Sequence, residues 1–213
     1  MTTIGRWLLE EWRREASAEG RRGGGGEPSV AHEPPVGQPL PVIHQVLPLA
    51  GRLWGAGRPG YPDEPPSAAA MEAGVHGWQE LGVERVVSLI QDWELPSRAP
   101  GLFEALGARK IAVARLPIRD FGVPTDTTVF ARLLADIRQR LATGDGVLIH
   151  CNAGLGRTAV VLAALLRIHG FDGDPVVEIR RIYRRGAMED PVQEAFVRGL
   201  DPAFADGADR MDR

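Results

Sequence analysis

Apolar residues along the chain fall into two patterns. In the first they recur at helical spacing. Met71, Val75, Trp78 and Leu81 do so within Ser67 to Leu81. Val129, Phe130, Leu133, Leu134, Ile137 and Leu141 do so in a segment that Thr125 or Asp126 caps and that runs to Ala142. Val176, Val177, Ile179, Ile182 and Tyr183 follow the cap-plus-first-turn pair Asp174-Pro175. Thr158 to His169 is apolar on nearly every side, which predicts a buried helix stopped by Gly170. In the second pattern, apolar residues form short runs: Arg85 to Ile90, Ile111 to Ile118, and Val147 to Ile149. Such runs suit strands buried on both faces. Ile43 to Trp54 predicts one or two short edge strands, and Leu102 to Leu106 a single helical turn.

The flanks read differently. Residues 3–15 place Ile4, Trp7, Leu8 and Trp12 on one side, predicting an amphipathic helical N-terminus over residues 1–16. Its charges nearly cancel, so a terminus that is frayed or docked on the domain or a partner is the expectation, ahead of contact with a lipid surface. Residues 17–41 carry Gly23 to Gly26 and Pro28, Pro34, Pro35, Pro39 and Pro41, a composition that reads as a flexible linker. A folded domain is expected over 42–200 and a polar tail over 201–213.

The stretch from Gly146 to Thr158 carries the chemistry. It reads as strand, then loop, then helix, with His150-Cys-Asn-Ala-Gly-Leu-Gly-Arg-Thr158 across the junction. A glycine-containing loop feeding a helix aims backbone N–H groups at one spot, and the helix dipole favours an anion there. Asn152, Ala153, Gly154, Leu155, Gly156 and Arg157 would supply those amides. Cys151 lies at the loop's start, where its thiolate is stabilised. Arg157 closes the far end and can hold two oxygens of a tetrahedral dianion. That arrangement suits a sulfur nucleophile attacking a phosphate monoester in line with its leaving oxygen.

The run fits His-Cys-x5-Arg-Thr and resembles the phosphate-binding loop of the cysteine-dependent protein tyrosine phosphatases. Its Gly-Leu-Gly-Arg-Thr ending is similar to the cell-cycle and small atypical dual-specificity phosphatases. The resemblance covers residues 42–200 and implies that family's α/β fold, a central mostly parallel sheet flanked by helices. It implies a phosphomonoesterase that needs no cofactor and no metal, acting on phosphorylated protein. Leu116-Pro-Ile-Arg-Asp-Phe-Gly-Val-Pro124 resembles the family's general-acid loop and puts Asp120 in the acid's place. The rivals are Asp92, Asp126 and Asp145; Asp126 fits a helix start and Asp145 a turn. Gln193 matches a residue that places water for the second step, or else ties loops together. Thr158 could donate its hydroxyl to the Cys151 sulfur. His150 would order the loop from below, pointing away from a pocket that Cys151 points into. The family's loop after the 85–90 strand borders the pocket, so Trp93 either stacks on a phenyl ring or packs on the surface. Arg180, Arg181, Arg184 and Arg185 form a basic surface, which is either a solvated face or an attractor of phosphorylated substrates.

Two other functions stay in view. One is a phosphoinositide or inositol-phosphate phosphatase, whose loop often carries Lys; here Asn152, Ala153 and Leu155 are uncharged. The other is a phosphoresidue-binding pseudophosphatase, which would lack the Cys, Arg or acid. Composition narrows the remaining choices. The net charge of −3 gives no reason to expect nucleic-acid binding. Cys151 is the only cysteine, so an intrachain disulfide is impossible and a reducing, cytoplasmic setting is expected. The histidines form no ligand-spaced pair.

Overall fold

The computed structural model describes residues 34–42, 46–47 and 50–206. The N-terminal amphipathic segment, most of the linker and the last residues of the tail lie outside these. The fold lies within the unit Pro35–Arg213. Its sheet has five strands: β1 (Leu40–Pro41), β2 (Arg52–Ala56), β3 (Arg85–Ser88), β4 (Ala112–Arg115) and β5 (Gly146–His150). They lie in the order β1-β2-β5-β3-β4. Only β1 is antiparallel to its neighbour; β2, β5, β3 and β4 run parallel. Two boundaries differ from the sequence reading. Leu40 and Pro41, read as linker, pair with Gly55 and Trp54. The strand expected at an edge, β2, is interior, because the apolar run of β5 needs a partner on each side.

Helices cover both faces. They are α1 (Ala68–Glu80), the short α2 (Leu95–Arg98), α3 (Leu102–Ala108), α4 (Thr127–Thr143), α5 (Arg157–Ile168), α6 (Pro175–Ile182) and α7 (Pro191–Arg198). Local chemistry sets their starts. Ser67 Oγ accepts from the Ala70 N–H at 3.1 Å, and Asp126, rather than Thr125, caps α4 by accepting from Val129 at 2.9 Å. Asp174 and Asp190 cap α6 and α7, each followed by proline at the first helical position.

Strand alternation divides the core. Val147 and Ile149 of β5 face a cluster containing Phe130, Leu134, Ile137 and Leu141 of α4 and nearly the whole of α5. His150 turns to the opposite face, where its ring meets Trp78 of α1 at 5.4 Å. Every residue of β5 is buried. The parallel strands point their carboxyl ends one way, so the loops after β2, β3, β4 and β5 emerge along one edge, where open α/β sheets bind ligands.

Residues 201–206 are not a free tail. Phe204 packs on Phe130 at 5.8 Å between ring centroids, Ala205 is buried, and Arg138 holds Asp206 at 3.2 Å. Phe130, also 5.9 Å from Phe196, ties this segment and α7 to α4. Among the described residues no helix is long and apolar enough to cross a membrane. Phe130→Ala is expected to cost about 3–5 kcal/mol through lost burial and a cavity, read as a lower denaturant midpoint. Ending the chain at Leu200 is expected to lower the same midpoint, which a free tail would leave unchanged.

Candidate active site

Strand β5 delivers Cys151 to the carboxyl edge, and α5 begins at Arg157, so the intervening loop must turn within a few residues. Gly154 makes the turn at a φ of 85°, where a side chain is strained. A Cβ there would also lie 2.6 Å from the Ala56 carbonyl carbon and the Gly57 nitrogen. The Gly154 N–H donates to Cys151 Sγ at 3.2 Å, which is how an amide supports a thiolate. Neighbouring elements hold the loop from outside. Arg58 donates Nε to Asn152 Oδ1 at 2.8 Å and its backbone N–H to the Asn152 carbonyl at 2.9 Å. Tyr183 donates its hydroxyl to the Gly154 carbonyl at 2.8 Å, and the Met188 N–H reaches the Leu155 carbonyl at 3.1 Å.

Arg157 is 1% exposed; its two terminal nitrogens are engaged, and its buried Nε has no partner. Nη1 donates to Glu94 Oε2 at 2.7 Å and to the Ile118 carbonyl at 3.1 Å, and Nη2 reaches Glu94 Oε1 at 3.3 Å. Asp120 Oδ1 lies 3.0 Å from the same Nη2. Burial works against the Arg157 charge, but the Cys151 sulfur, Glu94 and Asp120 outweigh it and raise the pKa above its ordinary value. Glu94 has no exposure at all. It satisfies the needs of a buried carboxylate with two guanidinium groups and an amide: Arg157, Arg98 at 2.7 Å, and the Gln91 N–H at 2.9 Å.

The fold therefore brings Cys151, Asn152 to Gly156, Arg157 and Asp120 together. Gln193 is also present: it is buried and donates Nε2 to the Gly122 carbonyl of the Asp120 loop at 3.0 Å. Its side-chain oxygen and nitrogen both lie 3.0 Å from where a Cβ on Gly156 would be, so it bridges two loops. Thr158 differs from expectation. Its hydroxyl donates to the Ala56 carbonyl at 3.4 Å instead of to sulfur, because β2 ends beside the start of α5. The basic surface is smaller than expected, with Arg181 and Arg185 exposed and the other two arginines engaged by the domain. Arg184 is buried and donates to the Pro35 and Gln38 carbonyls, and Arg180 is taken by the Ala187 and Met188 carbonyls and Glu194. Arg181 pairs with Glu178 at 2.6 Å. Trp93 is 66% exposed and Phe121 54%, so two aromatic side chains stand in solvent on the loops after β3 and β4.

Sequence reasoning missed Glu94, Arg98, Arg58 and Glu189. The only signal for the first two is an i,i+4 acid–base pair after a strand. Glu189 places Oε2 3.1 Å from the same Gly156 Cβ position. Burial and then the Asp120 charge raise its pKa, with Arg157 opposing.

Comparison with known proteins agrees with this architecture. The family model "PTP-SAK: Swiss Army Knife protein, DSP-PTPase phosphatase domain" matches residues 66–198. MJECL20, an uncharacterized protein of Methanocaldococcus jannaschii, is 35% identical over 89 residues, 41% of this chain and 58% of that protein. The match thus spans less than two thirds of that relative's length. Kinase associated phosphatase, with its catalytic-site cysteine replaced by serine, has a TM-score of 0.67 at 21% identity, covering 76% of this chain and 92% of that one. Tk-PTP in its active form scores 0.56 at 27% identity, covering 71% and 92%. PTPMT1 in complex with PI(5)P scores 0.55 at 17% identity, covering 80% and 98%.

His150 supplies a pH test. Its Nδ1 lies 3.1 Å from the Cys151 carbonyl, and burial pushes its pKa from 6.5 down to about 4, with Arg157 and Arg115 contributing. The folded protein holds this ring neutral while the unfolded chain protonates it. Stability from this group is therefore complete above pH 6.5 and falls as pH drops toward 4. The full loss is about 3 kcal/mol. Denaturant midpoints measured from pH 7 to 5 should fall in the wild type and fall less in His150→Asn; parallel slopes would contradict the buried neutral ring.

Proposed function

This chain belongs to the DSP-PTPase phosphatase family, and on that premise we propose that it hydrolyses phosphomonoesters on proteins, without a metal, through a cysteinyl-phosphate. The observation that carries the reading is the approach of three groups: Cys151 Sγ under the Gly154 amide at 3.2 Å, Arg157 closing the loop, and Asp120 Oδ1 at 3.0 Å from Arg157 Nη2.

The steps follow from that geometry. A phosphate dianion enters over the loop amides, takes the pocket side of Arg157 and displaces the Asp120 carboxylate. Glu94 and the Ile118 carbonyl keep Arg157 in place. Beside a dianion a carboxyl group is favoured in its protonated form, the one an acid needs. The Cys151 thiolate forms an S–P bond while the bond from phosphorus to the leaving oxygen breaks; that oxygen keeps the electron pair and takes the Asp120 proton. The loop amides and Arg157 stabilise the equatorial oxygens through the transition state. In the second step a water oxygen bonds to phosphorus and gives a proton to the Asp120 carboxylate. The S–P bond breaks, its electron pair returns to sulfur, and inorganic phosphate leaves. Gln193, set between the acid loop and Gly156, helps place that water.

Protein substrates are favoured by the uncharged side chains at Asn152, Ala153 and Leu155, and by Trp93 and Phe121, whose exposed rings can receive a phenyl group. A phosphoinositide or inositol phosphate is the second reading, favoured by the shared fold of the PTPMT1–PI(5)P complex. A cytoplasmic setting suits an enzyme whose only cysteine must stay reduced.

Cys151→Ser should abolish turnover of 4-nitrophenyl phosphate in the presence of chelator while phosphate still binds by calorimetry; appreciable turnover would reject the nucleophile. Asp120→Ala should lower kcat by about 10²–10⁴-fold for phenyl phosphate and far less for 4-nitrophenyl phosphate. Rates on phosphotyrosyl, phosphoseryl and phosphothreonyl peptides beside PI(5)P should rank a phosphopeptide first; preference for the lipid would favour the second reading.

A further inference from the structure

Arg98 is the last residue of α2, and its guanidinium meets carboxylates from three different loops. Nη1 lies 2.7 Å from Glu94 Oε1 and 3.2 Å from Asp120 Oδ2, and Nε lies 3.2 Å from Glu64 Oε1. Those carboxylates belong to the loops after β3, β4 and β2. The Arg98 side chain is 21% exposed, so the contacts form at the rim of the site, partly shielded from water. Burial tends to lower the Arg98 pKa, but the bond to Asp120 and the Glu94 charge outweigh it, and the guanidinium stays charged.

The two oxygens of Asp120 face different partners. Oδ1 faces Arg157 Nη2, the arginine that closes the 151–157 loop, and Oδ2 faces Arg98. A bound dianion takes Arg157 from Oδ1 and leaves Arg98 on Oδ2. Arginine only donates hydrogen bonds, and in a protonated carboxyl the carbonyl oxygen is the stronger acceptor, so the oxygen that accepts from Arg98 is favoured as the unprotonated one. Arg98 thereby fixes which oxygen carries the acid's proton.

We propose that Arg98 is a positioning residue for general-acid catalysis: it holds Asp120 over the pocket by Oδ2 and leaves the proton on Oδ1, toward the leaving oxygen. This rests on the phosphatase reading above. Glu94 serves as the anchor of the arrangement, since it fixes Arg98 and Arg157 together. The expected consequence is selective. The Arg98 bonds go to Glu64, Glu94 and Asp120 and to none of the loop amides, so its removal should weaken protonation of the leaving group and leave phosphate binding largely intact.

Kinetics on two substrates test this. Arg98→Ala should lower kcat for phenyl phosphate by about ten-fold or more, a fraction of what the whole acid contributes. For 4-nitrophenyl phosphate, whose leaving group needs little protonation, the loss should stay within about three-fold, with KM little changed for both substrates. Arg98→Lys should recover part of the phenyl phosphate rate. In an Asp120→Ala background, Arg98→Ala should add no further loss, because the two act as one unit. Thermal melting checks each variant, and Arg98→Gln replaces the alanine variant if that one melts below the assay temperature. Equal losses on both substrates, a loss mainly in KM, or a full additional loss in the Asp120→Ala background would each overturn the role. Failure of this inference is separable from failure of its premise. If Asp120→Ala shows the leaving-group dependence and Arg98→Ala does not, Arg98 alone is misassigned. If Asp120→Ala shows none, the acid itself lies elsewhere and the Arg98 role falls with it.

Discussion

A carboxylate sealed from water, Glu94, bonds two guanidinium groups at once, and the site depends on that pairing. A lone buried charge would be costly by several kcal/mol, and so would a lone buried Arg157. Each is tolerated because the other is there, at 2.7 Å. The pairing also determines direction. Arg157 is held through Glu94 and the Ile118 carbonyl, while its Nη2 also meets Asp120, the partner an incoming anion can replace.

This arrangement is available because of the sheet. Parallel strands in the order β2-β5-β3-β4 deliver Arg58, Cys151, Glu94 and Asp120 to one edge from four separate loops. Alternation along β5 sends His150 to one face beneath Trp78 and lets Cys151 emerge at the strand's end. The 151–157 loop is then fastened by residues distant in sequence: Arg58 on Asn152, Tyr183 on Gly154, Met188 on Leu155. Few of these bonds lie within the loop itself, so its shape is a property of the whole domain.

How much of this was legible in the sequence follows from the range of the interactions. The strand–loop–helix around Cys151 was readable because its apolar run, glycines and arginine are contiguous. Asp120 was readable from a distinctive local run. Helix starts at Ser67 and Asp174 obey short-range capping rules, although the choice between Thr125 and Asp126 needed coordinates. Glu94, Arg98 and Arg58 were not legible, since their roles exist only where loops from different strands meet. The arginines in and after α6 misled for the converse reason: charge in sequence looks like exposed surface, yet Arg184, just beyond the helix, is covered by residues 35–38 from the start of the domain. The tail misled because Phe204 is one aromatic residue among polar ones, and its partner Phe130 lies far away in the chain.

The ring formed by Asp120, Arg157, Glu94 and Arg98 contains two formal positive and two formal negative charges, and so is neutral overall. Asp120 closes the ring against Arg157 Nη2. The ring adds little net pull on distant anions, because the terminal nitrogens of Arg157 already meet carboxylates. Any anion that bonds Arg157 Nη2 has to replace a carboxylate there, so the exchange of one negative partner for another leaves the ring's charge balance to the newcomer's bonding strength.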